Sequence, residues 1–138
     1  MEKLLVDTNI VLDLLSKRED FYKEAQHLFT LSDQNKVKLY VSSLTLANTH
    51  YLLTRNHQLD ESRKILMKFK VLVEVLPLDD KILDLALISD FKDFEDAIQY
   101  HTALEHVLDL IITRNKKDFK KSTLPILTAK EYLKKLHF

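Results

Sequence analysis

Glycine is missing from all 138 residues. Its absence excludes nucleotide binding through loops of the GxxxxGK[ST] or GxGxxG kind, whose backbones approach phosphates where a Cβ would collide. Helices must also stop on Asn, Asp or Lys rather than on the usual left-handed glycine. Cysteine is absent as well. That excludes disulfides, thiolate metal sites and thiol nucleophiles together, and suits a reducing compartment. No apolar run reaches the ~18 residues of a membrane span, and the start has no signal-peptide pattern, so a cytoplasmic protein with no membrane partner is expected. Formal net charge is zero, so bulk electrostatics does not favour nucleic acid.

What remains is a soluble composition, 46% hydrophobic and 30% charged, expected to form one domain over residues 1–138. Its charge is segregated. Seven acids lie between Asp79 and Asp96, and eight bases between Arg114 and Lys135. An acidic pocket beside a basic rim suits an enzyme acting on polyphosphate, although ordinary solvated faces show the same pattern.

The apolar stretch Leu4-Leu5-Val6 reads as a strand buried on both faces, and it stops at Asp7. Thr8 or Asn9 can cap the helix that follows. Asp20 can start a second helix, Lys38–Val41 reads as a strand, and Ser42 or Ser43 caps a third helix. Asp60 begins a fourth helix, Val71–Leu76 reads as a strand, and Asp79 or Asp80 opens another helix. Phe94–His106 is helical, Leu108–Ile112 a strong strand, and Leu124–Leu127 an edge strand because of Pro125. A last helix begins near Thr128. Strands separated by helices predict a three-layer α/β/α domain around a parallel sheet of about five strands.

Polar residues gather where strands end, the edge at which ligands bind in such sheets. Asp7 follows the first strand, and Asn48 lies one turn into the helix after the second. Asp93 and Asp96 start the helix feeding the fourth strand, which Thr113, Asn115 and Asp118 follow. Oxygen donors without His or Cys partners suit Mg²⁺ or Mn²⁺, which can activate water and offset charge on a phosphodiester. Each acid also has a bland reading. Asp7, Asp93 and Asp118 can be helix or turn caps, and Asp13 and Asp109 read as ordinary solvated or capping acids. His50 and His101 read as surface or core residues. Tyr40, Tyr51 and Tyr100 read as packing rather than base-stacking platforms.

Four segments together resemble the PIN domain, in the style of the VapC-like ribonuclease toxins. They are Leu5-Val6-Asp7-Thr8-Asn9, Ser42–Ala47, Asp96-Ala97-Ile98 with Thr102–His106, and Thr113-Arg114-Asn115 with Asp118-Phe119. The resemblance implies strand order 3-2-1-4-5, Mg²⁺- or Mn²⁺-dependent cleavage of RNA, a homodimer or higher homo-oligomer, and a small antitoxin partner. Asp7 and Asp96 match the family's first and third acids. Asn115 matches the fourth, with Asp118 as a substitute. The second departs, because Asn48 stands where the family has Glu, and Asp93 is a candidate to restore that charge. Thr8, Asn9 and Thr113 are candidate supports for the ligands, and Arg114, Lys116 and Lys117 candidate RNA contacts. Two function classes follow: an endoribonuclease, or a PIN-like module that binds RNA or protein with catalysis weakened or lost.

Overall fold

The computed structural model describes residues 1–136. Five parallel strands form one sheet: β1 (Lys3–Val6), β2 (Lys38–Ser42), β3 (Glu74–Leu76), β4 (Leu110–Ile112) and β5 (Ile126–Leu127), in spatial order 3-2-1-4-5. This is the order that the family resemblance implied. Among the described residues seven α-helices connect and cover the strands: α1 (Thr8–Leu15), α2 (Tyr22–Asp33), α3 (Ser43–Leu53), α4 (Leu59–Phe69), α5 (Asp80–Leu87), α6 (Phe94–Glu105) and α7 (Ala129–Lys135).

Alternation along the strands assigns the layers. Leu4, Val6, Leu39, Val41, Leu110 and Ile112 face one side, against Ile10 and Val11 of α1, Leu28 and Phe29 of α2, and Tyr132 and Leu133 of α7. Leu5, Tyr40 and Ile111 face the other, against Tyr100 and Ala103 of α6 and Phe119. Helix α5 backs α6 through Ile82, Ala86, Ala97 and Ile98. Central strands buried on both faces explain why their sequences are continuous apolar runs.

Three local expectations are corrected. Asp20 does not start α2, because Phe21 and Tyr22 first turn back onto the Arg18 carbonyl at 3.0 and 2.7 Å, and Phe21 is the cap position. Helix α4 is preceded by Gln58, with Asp60 inside its first turn. Val71–Leu76 is only half a strand. Residues Lys70–Leu72 form a 3₁₀ turn, Val73 is extended, and the strand begins at Glu74, where β2 supplies ladder partners. Pairing rather than β-branching decides where that edge strand starts.

Helix ends show how a chain without glycine stops. Lys17, Asn35 and Val107 adopt left-handed backbone, with φ of 48°, 58° and 55°. Each closes a paired-bond stop. At α6, Val107 N–H donates to Leu104 O at 3.1 Å and Leu108 N–H to Ala103 O at 3.0 Å. Lys17 and Asn35 are the residue types expected there; Val107 is not. A β-branched residue in this region costs about 1–2 kcal/mol, offset here by seating Leu108 in the core beside Ala103.

Candidate metal centre

Asp7 is the residue on which the site is built. As N-cap of α1 it accepts the Thr8 N–H at 2.8 Å on Oδ1, so the cap is Asp7 itself rather than Thr8 or Asn9. Capping does not exhaust it. The Thr113 hydroxyl, at the end of β4, donates to Oδ2 at 2.8 Å, and Gln99 Nε2 of α6 donates to Oδ1 at 3.2 Å. Gln99 Nε2 also donates to Thr45 Oγ1 at 2.6 Å, and Thr45 meets the Thr8 hydroxyl at 3.0 Å. Four elements thus aim one carboxylate that is only 8% exposed. Burial raises its pKa above the ordinary carboxylate value, although the Thr113, Thr8 and Gln99 hydrogen bonds pull it back.

Beside Asp7 opens a groove of about 490 Å³, lined among others by Thr8, Asn9, Asn48, Glu95, Asp96, Gln99 and Asn115. The parallel strands therefore bring Asp7, Asp96, Asn48 and Asn115 together, as their places in the sequence predicted. Asn9 is a support rather than a wall alone: its amide bridges Thr113 Oγ1 and the Arg114 N–H, both at 3.4 Å. Asn115 N–H donates to the same Thr113 hydroxyl at 3.1 Å.

Asp93 and Asp118 sit elsewhere. Asp93 caps α6, accepting the Asp96 N–H at 3.0 Å, and with Asp118 lines a second cleft of about 340 Å³ that also holds Lys92, Lys117, Lys120 and Lys121. Asp96 belongs to both clefts and forms the wall between them. Its pKa is pushed up to about 7, first by burial and then by the nearby charges of Asp93, Asp7, Asp118 and Glu95.

The basic residues divide. Arg114 turns inward, donating from Nε to Asp13 at 2.9 Å and lying over the Phe21 ring at 4.0 Å. Lys116 pairs with Glu131 at 3.1 Å. Lys117 faces the second cleft. Asp13 is corrected: it is neither solvated nor a cap but a buried acid, 1% exposed. Tyr40 and Tyr100 are core residues, whereas Tyr51 is 64% exposed on the groove rim.

Sequence reading missed Gln99, Glu95 and Thr45 as site residues. Gln99 had a signal: it lies three residues after Asp96, hence on the same helical face, as a polar interruption in an apolar run. Glu95 and Thr45 carried none beyond adjacency to recognised segments.

The donor set is all oxygen. Among the described residues no three His, Cys, Asp or Glu side chains stand close enough to hold an ion between them. The arrangement fits an ion that keeps several waters and is bound through one or two carboxylates, as Mg²⁺ is. Two further observations support that fit. Gln99 Oε1 is buried beside Asp7 with no hydrogen-bond partner, and the acids facing Asp96 repel its charge.

This repulsion makes stability depend on pH. Between the ordinary value of 3.8 and about 7, folded Asp96 keeps a proton that the unfolded chain releases. Its contribution is therefore complete below that window and lost as pH rises through it. The metal-free protein is expected to melt higher at about pH 5.5 than at about pH 8, and Mn²⁺ should raise the melting temperature more at the higher pH. Melts at both pH values, with and without Mn²⁺, check this. An Mn²⁺ shift no larger at pH 8 contradicts it.

Comparison with known proteins agrees with the geometry. The family described as PIN domain matches residues 3–117. Ribonuclease VapC1 of Aquifex aeolicus (strain VF5) is 27% identical over 139 residues, covering 95% of this chain and 93% of its own length. Among solved structures, a toxin-antitoxin complex from Klebsiella pneumoniae contains a chain 28% identical, with a TM-score of 0.68 and coverage of 91% of this chain and 97% of that one. DNA-bound VapBC from Salmonella typhimurium gives a TM-score of 0.70 at 18% identity, covering 94% and 99% of the two chains, a likeness of fold. With the strand order, the helix-capping aspartate at the end of β1 and a match across most of its length, this chain belongs to the PIN-domain family.

Proposed function

We propose that the chain is a Mg²⁺- or Mn²⁺-dependent endoribonuclease, the toxin-like member of a toxin–antitoxin pair. The observation that carries this reading is the meeting of Asp7 and Asp96, from two distant segments, in one groove of a PIN fold. Relatives named as a ribonuclease and as part of a toxin-antitoxin complex support the substrate class and the partner.

Asp7 and Asp96 would hold the ion, with Asn48, Asn115 or Gln99 contributing neutral oxygens. Asp93 and Asp118 would add negative charge from the second cleft. When bound, the ion supplies an activated water and offsets charge on the phosphodiester. The chain's own part is positional. Thr113, Gln99 and the Thr8 N–H lock the Asp7 carboxylate in one orientation, with no rearrangement needed when substrate arrives. Lys117, Lys120 and Lys121 of the second cleft stand across Asp96 from the groove, and they suit an RNA backbone passing over that wall. Tyr51 on the rim offers a face on which a base can stack.

Cleavage of single-stranded RNA with Mn²⁺, abolished by EDTA, is the expected result. Cleavage undiminished by EDTA overturns the metal mechanism. RNA binding without cleavage under any divalent ion would favour the binding-module reading, for which the neutral Asn48 is the motivating observation.

A homodimer belongs to the same proposal. The apolar stripe of α2 is used in the core, where Ala25, Leu28, Phe29 and Leu31 are buried. The exposed apolar residues include Tyr51 on α3 and Leu59, Met67 and Val71 along α4 and the turn after it. A two-fold interface would cover them. Light scattering is expected to show twice the 16.3 kDa chain mass. A species of single-chain mass at micromolar concentration contradicts the dimer.

A further inference from the structure

Position 48 carries no charge, yet the groove wall beside it does. Asn48 Nδ2 donates to Glu95 Oε1 at 3.4 Å, and both side chains line the groove with Asp7, Asp96 and Gln99. Glu95 reaches this wall from the first turn of α6, across from α3. Asp93, the other acid close in sequence, is committed elsewhere: it caps α6 and lines the second cleft. The charge expected at position 48 therefore has a neighbour on the facing helix that occupies the same groove.

An independent feature points to a cation there. Gln99 is 3% exposed and lines this groove, and its Oε1 has no partner. Its amide nitrogen is held by Asp7 Oδ1 and Thr45 Oγ1. Reversing the amide would turn a carbonyl oxygen onto a carboxylate, so Oε1 is the atom left over. A buried carbonyl oxygen with a vacant lone pair needs a donor or a positive ion.

We propose that Glu95 supplies, from α6, the carboxylate that α3 lacks at position 48. In this arrangement Asp7 and Asp96 bind the divalent ion, Glu95 acts on it through one of its waters, Asn48 is the positioning residue that orients Glu95 by donating to it, and Gln99 Oε1 completes the oxygen set. The groove thereby keeps a carboxylate next to position 48, supplied from α6 rather than from α3. This rests on the metal-dependent reading above.

Titration calorimetry with Mn²⁺ alone, on the full chain, tests it without reference to RNA cleavage. Four proteins are compared: wild type, Glu95→Gln, the double variant Asn48→Glu/Glu95→Gln, and Asp7→Asn. Glu95 is exposed, so its amide variant keeps the fold, which a thermal melt verifies. Glu95→Gln is expected to weaken Mn²⁺ binding about ten-fold, the scale of a lost supporting carboxylate. The double variant is expected to return to within about three-fold of wild type, because a carboxylate is restored from α3 to the same groove. Asp7→Asn should lose measurable binding.

Wild-type affinity in Glu95→Gln, with binding lost in Asp7→Asn, overturns the role of Glu95 and leaves the metal reading intact. A weakened Glu95→Gln that the double variant does not restore also overturns the exchange of walls. Undiminished binding in Asp7→Asn overturns the metal site itself.

Discussion

Asp7→Asn is expected to lower RNA cleavage by about a hundred-fold or more, the scale on which losing a group that stabilises transition-state charge is felt. The fold should survive. Asparagine is as good an N-cap as aspartate, and its carbonyl oxygen can still accept from the Thr8 N–H and from Gln99. The Thr113 hydroxyl, which already accepts from Asn9 and Asn115, loses its acceptor at position 7, a cost of about 1 kcal/mol that leaves the fold standing. Asp96→Asn should lose cleavage on a similar scale for a different reason. It removes a carboxyl whose ionisation is opposed by burial and by Asp93, Asp7, Asp118 and Glu95, so the metal-free protein should melt higher at neutral pH than wild type. Loss of cleavage combined with a gain in stability separates a functional acid from a structural one. The measurements are initial cleavage rates in Mn²⁺ and a thermal melt in EDTA. Either variant cutting RNA at the wild-type rate would remove that acid from the mechanism.

Arg114→Ala carries the largest expected loss of stability. Its partner Asp13 is 1% exposed, and its Oδ1 has no hydrogen bond. Arg114 Nε meets the other oxygen at 2.9 Å, whereas Arg18 lies 3.8 Å away and is more exposed. Burial already raises the Asp13 pKa despite Arg114. Removing the guanidinium leaves a buried acid without its main partner and uncovers the Phe21 ring. A cost of ~3 kcal/mol is expected, or a melting temperature lower by roughly 10 °C for a chain of this size. Replacing both members, as in Asp13→Leu/Arg114→Met, should recover most of it, because a buried pair often contributes little beyond an apolar pair of similar volume. Calorimetric melts of wild type and the two variants decide the matter. A single variant melting within about 2 °C of wild type would mean that Arg18 or water already compensates Asp13.

The fold was legible because its signals are local. Apolar runs that stop at a polar residue marked β1, β2 and β4, and side-chain caps at Ser42, Asp79, Asp93 and Thr128 marked four helix starts. The start of β3 was not legible, since Val71 and Leu72 have strand propensity but no strand beside them. In the site, Asp7 and Asp96 could be placed from topology alone, because parallel strands send all their ends to one edge. The partition of the remaining charges could not. Whether Arg114 meets Asp13 or solvent, and whether Asp93 or Glu95 faces the groove, depends on side-chain directions across 101 residues in one case and one helical turn in the other. Spacing leaves such choices open.

The bond from Thr113 to Asp7 joins residues 106 apart, and Gln99 reaches Asp7 across 92. During synthesis, therefore, Asp7 emerges well before Gln99 and Thr113 and remains loosely aimed until β4 has docked beside β1. Long-range parallel pairing of this kind forms late. A nascent or truncated chain ending before Thr113 would carry Asp7, Asn48 and Asp96 with no hydroxyl to lock the central carboxylate. The cleavage proposed for this groove would then await the emergence and docking of β4 and Thr113, a delay set by topology with no inhibitor needed to enforce it.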